Sequence, residues 1–227
     1  MRNKPLVIAV TGGMGCGQTT VCNFLQQMGV RVINADLEAK REIENNEEIK
    51  KQLRQEFGSR AFYRNGRLNR KYLAQVVFSD ATKTETLNRI VHPQMVTRVI
   101  EQIERARESR KYKIIAVDAA LIYEINLENM FDAVVVVTAR MKQRIERLQA
   151  RDNMSEKEII DRINRQIPIE DKKKWADFVV NNYGDLEALQ QNTRKLYQQL
   201  LNLWKTRQGV STSRRPRKRP LARKTNS

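Results

Sequence analysis

Residues 6–10 (LVIAV), 30–33 (VRVI), 113–118 (KIIAVD), 131–138 (FDAVVVVT) and 178–180 (FVV) are short apolar runs in an otherwise charged chain. Runs of this length with little polar alternation predict strands buried on both faces, as in a parallel sheet. Between them the apolar period lengthens to three or four residues. Residues 21–29 predict a helix ending at Gly29, and residues 37–57 a strongly charged helix closed by Gly58. Asn69 is placed to cap a helix through Phe78, and Asp80 to cap the next. That next helix carries Leu87, Ile90 and Val91, and its stripe resumes after His92-Pro93 at Met95, Val99, Ile100 and Ile103. Pro93 predicts a kink or a fresh helix start there. Asn65-Gly66 predicts a turn. Asp152-Asn153 breaks the helix that follows the fourth strand, and Ser155 with Glu158 forms a capping box for its successor. Strands alternating with helices predict a three-layer α/β protein: a five-stranded parallel sheet with helices on both faces.

The most informative junction is the first. The strand at residues 6–10 runs into Gly12, Gly13, Met14, Gly15, Cys16, Gly17, Gln18, Thr19 and Thr20, and a helix follows. Glycines let the backbone curl so that several N–H groups converge on one anion, and the helix N-terminus adds partial positive charge. Strand, glycine loop and helix in that order point to a phosphate-binding loop. The bland alternative is a glycine-rich turn without chemistry. Thr19 is placed to reach a magnesium ion on the phosphates. The pattern G-x-x-x-x-G-K-[ST] is complete from Gly12 to Thr19 except for its lysine, which is Gln18. Glutamine donates a hydrogen bond but brings no charge to the β/γ-phosphates.

Charge narrows the partners. The 227 residues carry a net charge of +17. Nine basic residues and no acidic one lie in residues 205–227, beside Pro216 and Pro220. That stretch reads as a disordered tail, either solubilising or able to touch nucleic acid weakly. The milder excess on the body suits a polyanionic small ligand. Cys16 and Cys22 are the only cysteines, so a disulfide framework is not expected. No run approaches a membrane span, and the direct passage from Met1 into a strand predicts no leader, hence a cytoplasmic protein.

Two acids end buried strands. Asp36 follows the second, at the carboxyl edge where open α/β sheets bind ligands; it reads as a general base or as the N-cap of the helix from Leu37. Asp118 ends the third and reads as a water-mediated magnesium ligand, a cap or a turn. Arg140, Arg144, Arg147 and Arg151 recur every three or four residues and share a helix face. They form either a lid that closes on ATP or a solvated basic face. His92, the only histidine, is either structural or near ligand.

Together these stretches resemble the dephospho-CoA kinases, P-loop kinases of the nucleoside-monophosphate kinase type. TGGMGCGQTT resembles the family's TGG-x-GSGKST, and residues 32–36 its V-I-D-A-D. Residues 65–70 resemble D-G-x-L-D-R, residues 77–80 V-F-x-D, residues 90–93 I-x-H-P, and residues 118–124 D-x-P-L-L-F-E. Gln143, Arg147, Leu148, Arg151 and Asp152 resemble the family's glutamine, arginine-leucine and arginine-aspartate; Arg162, Ile163 and Gln166 its R-I-x-x-Q; and residues 176–182 its A-D-x-V-I-x-N. The resemblance runs from about Leu6 to Leu189.

The resemblance implies ATP- and magnesium-dependent phosphorylation of the ribose 3′-hydroxyl of dephospho-CoA. It implies Asp36 as base, Arg147 and Gln18 beside the reacting phosphate, residues 12–20 with Arg147, Arg151 and Asn182 on ATP, and Thr19 with Asp118 on the metal. Acceptor contacts fall to Asp36, Arg67, Leu68, His92, Pro93, Leu121 and Glu124. The implied division is a core of residues 1–36, 94–139 and 173–204, an acceptor region 37–93, a lid 140–172 and the tail 205–227, in a monomer or small homo-oligomer. Gln18, Asn34, Ala120 and Cys16 depart from the pattern. Two readings follow: an active kinase in which Lys4, Arg147 or another basic group supplies the missing charge, or a non-catalytic relative that binds ATP or CoA as a regulatory subunit. A kinase for another nucleotide or nucleoside is a third.

Overall fold

The computed structural model describes residues 4–209. Its elements alternate as the apolar runs require: β1 (Leu6–Gly12), α1 (Gln18–Gln27), β2 (Arg31–Asn34), α2 (Ala35–Asn45), α3 (Glu47–Phe57), α4 (Arg70–Ser79), α5 (Ala81–Glu108), β3 (Ile114–Asp118), β4 (Ala133–Thr138), α6 (Met141–Asp152), α7 (Glu156–Asn164), α8 (Ile169–Trp175), β5 (Phe178–Asn181) and α9 (Leu186–Gly209). One sheet has the order β2-β3-β1-β4-β5. β1 pairs in parallel with β3 and β4, and β4 in parallel with β5. Every residue of β1, β3 and β4 is buried, which is why these strands read as unbroken apolar runs. The architecture is three-layer α/β.

The chain forms two compact units, residues 33–108 and the remainder. In the sheet-bearing unit, Ile8, Val10, Ala116, Val135 and Val137 pack with Val21 and Leu25 of α1 and Leu189, Leu196 and Leu200 of α9. α9 continues through Gly209, so the first five residues of the stretch read as disordered tail are helical instead. The reason is tertiary: Arg207 pairs with Asp132 at 2.5 Å, and Gln208 Nε2 donates to the Lys4 carbonyl at 2.9 Å. The rest of that tail lies outside the described residues.

The helical unit has its own core of Ile43, Ile49, Leu53, Phe57, Phe62, Leu73, Val77 and Val91. The charged segment read as one helix is two. Asn46 interrupts it in extended conformation and accepts from the backbone N–H groups of Glu48 and Ile49, capping α3. Asn69 and Asp80 cap as expected, accepting from Tyr72 N–H at 3.2 Å and Thr82 N–H at 2.8 Å. Pro93 starts no new helix: α5 runs through it for 28 residues, with Val91, Met95, Val99 and Ile103 buried on both sides of the proline. This unit therefore continues to Glu108, past Pro93.

Candidate active site

The glycine loop joins the carboxyl end of β1 to the N-terminus of α1, with Gly15 and Gly17 at φ values of 78° and 88°. Gly17, at the helix start, is pressed by a neighbour as well: a Cβ there would lie 2.4 Å from Asn182 Nδ2. Asn182 follows β5, is 5% exposed, and donates that amide to the Cys16 carbonyl at 2.9 Å. Its Oδ1 accepts from Arg147 Nη2 at 3.3 Å. Asn182 thus ties the loop to α6, with its amide engaged in the loop itself.

α6 rests directly on the loop. A Cβ on Gly15 would meet the Arg144 carbonyl at 3.0 Å and Leu148 Cδ1 at 3.1 Å. Arg144 is 4% exposed and donates from Nε to the Met14 carbonyl at 2.8 Å. Met14 N–H donates to Gln166 Oε1 at 3.0 Å. The four arginines of the expected lid face have divided roles. Arg144 and Arg147 meet the loop and Asn182, whereas Arg140 is exposed with its guanidinium 5.5 Å from the Tyr183 ring centroid. Arg151 is exposed, and its Nε and Nη2 donate to the carboxylate of the adjacent Asp152. Ser155 and Glu158 form the expected capping box of α7.

Gln18 is half-buried. Its Nε2 donates to the Val10 carbonyl at 3.0 Å and to Asp118 Oδ1. The Cys22 thiol also bonds Asp118; burial pushes that thiol up from its ordinary range, and the carboxylate raises it further. Asp118 is 5% exposed, so amide and thiol solvate a carboxylate that water reaches poorly. Thr19 stands exposed beside the loop and Thr20 is half-buried. Both cysteines are free and buried.

Beneath Gly12 lies a cation that the sequence hid. Lys172 of α8 is 0% exposed and pairs with Glu124 at 2.6 Å, with its Nζ 3.4 Å from the carbonyls of Gly12 and Ala120. Glu124 Oε1 also accepts from Ile167 N–H, while Oε2 is buried with no hydrogen-bond partner among the described residues. In a run of three lysines nothing marks the first as buried; Lys173 and Lys174 pair with Glu170 and Asp171 three residues earlier. Leu121 is half-buried in the turn after β3. Lys4 precedes β1 at the end opposite the loop, about 25 Å from Gly12 at strand rise, so it supplies no charge to the loop.

In the helical unit, Asp36 is exposed in the first turn of α2. It is not the cap. Asn34 is, accepting from Leu37 N–H at 2.8 Å. Asparagine caps as well as aspartate, so Asn34 serves there without a second acid. Asp36 stays at the positive end of the helix dipole. Arg67 is exposed at a turn in which Tyr63 N–H donates to the Arg67 carbonyl at 2.8 Å, and Leu68 packs on the unit's core. His92 is half-buried in α5, and burial lowers its pKa; Pro93 beside it is exposed.

The profile of the dephospho-CoA kinase family matches residues 6–188. A Salinibacter ruber protein named dephospho-CoA kinase is 37% identical over 190 residues, covering 84% of this chain and 95% of its own. Among solved structures, the Thermus thermophilus protein TT1252 superposes with a TM-score of 0.73 at 31% identity, over 87% of this chain and 98% of its own. The dephospho-CoA kinase from Campylobacter jejuni gives 0.58 at 25% identity, over 86% and 96%. This chain, with its glycine loop at the end of β1 and an arginine-bearing helix laid against it, belongs to the dephospho-CoA kinase family.

Proposed function

We propose that this protein transfers the γ-phosphoryl group of ATP to the ribose 3′-hydroxyl of dephospho-CoA, giving CoA and ADP. The observation that carries this reading is the family match over residues 6–188, which includes the loop, the carboxyl ends of the strands and α6. Phosphoryl transfer needs positioning and charge more than covalent chemistry. Backbone N–H groups of residues 12–20 cradle the phosphates, and Arg147 offers a guanidinium whose Nη1 is buried without an acceptor among the described residues. Asp36, exposed and relieved of capping by Asn34, takes the proton from the attacking hydroxyl. Acceptor recognition falls to the helical unit, with Arg67, Leu68, His92 and Pro93, and to Leu121 and Glu124.

The residues fit a magnesium ion. Thr19 offers an exposed hydroxyl and Asp118 a carboxylate, both hard oxygens, and magnesium keeps water and phosphate oxygens for its other positions. Among the described residues no cluster of three His, Cys, Asp or Glu would hold a metal without the nucleotide. Thr19 and Asp118 would hold the ion, which supplies charge neutralisation across the phosphates.

The test is an acceptor screen. With ATP and magnesium, dephospho-CoA yields CoA, identified by mass, and free nucleosides yield nothing. Faster phosphorylation of a nucleoside than of dephospho-CoA would overturn the assignment.

A further inference from the structure

The loop from Gly12 to Thr20 contains no charged residue, because Gln18 stands where the pattern has lysine. Three cations approach it from elsewhere in the same unit. Lys172 is neutralised by Glu124. Arg147 bonds Asn182, whose other end holds the Cys16 carbonyl, and keeps a buried Nη1 without an acceptor among the described residues. Arg144 touches the loop backbone itself. Its Nε donates to the Met14 carbonyl at 2.8 Å, and a Cβ on Gly13 would lie 2.8 Å from Nη2 and 3.0 Å from Cζ. It is 4% exposed, and among the described residues no carboxylate pairs with it.

A guanidinium removed from water without a counter-ion is costly. At an anion-binding loop, a bound anion recovers that cost, and a planar fork suits phosphate. We infer that Arg144, projecting from α6, supplies the loop with the positive charge that Gln18 does not, and that it serves the nucleotide's β/γ-phosphates. Gly13 is then required for space: any side chain there displaces the guanidinium. Gln18 meanwhile is held by Val10 and Asp118, so the two halves of the lost lysine's work are separated. The amide keeps the contact with the strand end, and α6 brings the charge.

The inference rests on the proposed function only in taking ATP as the loop's ligand, so its test omits the acceptor. Calorimetric binding of AMP, ADP and ATP is compared for the wild type, Arg144→Gln, Arg144→Lys, Gln18→Lys and the double variant Gln18→Lys/Arg144→Gln, each first checked for an unchanged melting transition. Arg144→Gln weakens ATP and ADP by about tenfold or more, the order expected for one charged phosphate contact, and leaves AMP within a factor of about two. Arg144→Lys keeps most of the affinity. Gln18→Lys restores ATP binding to Arg144→Gln. Equal loss of AMP and ATP, or failure of Gln18→Lys to restore ATP binding in a double variant that melts normally, overturns the inference. A protein that passes this test yet makes no CoA contradicts the acceptor assignment alone.

Discussion

The Gln18 side-chain amide donates to Asp118 Oδ1 and to the Val10 carbonyl, joining the start of α1 to the carboxyl ends of β3 and β1. An amide in this slot holds the loop's base in place and leaves its charge to be met elsewhere. If Arg144 already meets that charge, Gln18→Lys in the otherwise unaltered protein raises turnover only a few-fold. A gain of about 10²-fold or more, the usual worth of one preorganised transition-state donor, would show that the loop lacks its cation. Steady-state rates at saturating ATP decide this.

Asn34 and Asp36 make separable contributions. Asn34→Ala removes the cap on Leu37 N–H and lowers stability by about 1 kcal/mol with little change in turnover. Asp36→Ala leaves denaturant midpoints near the wild type and lowers kcat by about 10²–10⁴, the range of a general base. The reverse pattern in paired unfolding and rate measurements would make Asp36 structural.

Lys172 and Glu124 form a buried pair under Gly12. Lys172→Met leaves the Glu124 carboxylate without its counter-charge and costs about 3–5 kcal/mol. Lys172→Met with Glu124→Leu recovers much of that stability, because the burial penalty of both charges goes with them. Urea unfolding of the single and double variants measures it; additive losses would place the pair's role outside charge burial.

Two groups give the stability profile opposite limbs. Burial lowers the His92 pKa, so the unfolded chain binds that proton more readily. The contribution is present above the unfolded value of about 6.5 and is lost as pH falls through the folded value. Burial and Asp118 raise the Cys22 thiol, so its contribution is full below an unfolded pKa of about 8.5 and is lost as pH rises through the folded value. His92→Gln flattens the acid limb of the melting-temperature profile and Cys22→Ala the alkaline limb. An unchanged slope in either variant removes that residue from the account.

Much of this was legible in the chain, for physical reasons. Strands buried on both faces leave unbroken apolar runs, and β1, β3 and β4 appear where residues 6–10, 113–118 and 131–138 promise them. Caps are local chemistry, so Asn69, Asp80 and Ser155 could be read directly. What was hidden depends on partners distant in sequence. Lys172 resembles its solvated neighbours until Glu124, 48 positions earlier, is brought to it. Arg144 shares a helical face with Arg140 and Arg151, yet only the close approach of α6 at Gly13 and Gly15 distinguishes it from them. Asn182 reads as a ligand contact, but Gly17 has no Cβ to keep its amide from the Cys16 carbonyl. The break at Asn46 lay in a charged run with no apolar interruption to mark it. Pro93 misleads in the other direction, since the buried stripe of α5 holds the helix together across it.

The most direct measurement is CoA formation from ATP, magnesium and dephospho-CoA by the purified protein, with Asp36→Ala as the blank. The account predicts CoA and ADP in equal amounts at a rate at least about 10²-fold above that blank. ATP binding with no CoA above the blank would contradict it, and would identify the protein as a nucleotide-binding member of the family that does not catalyse the transfer.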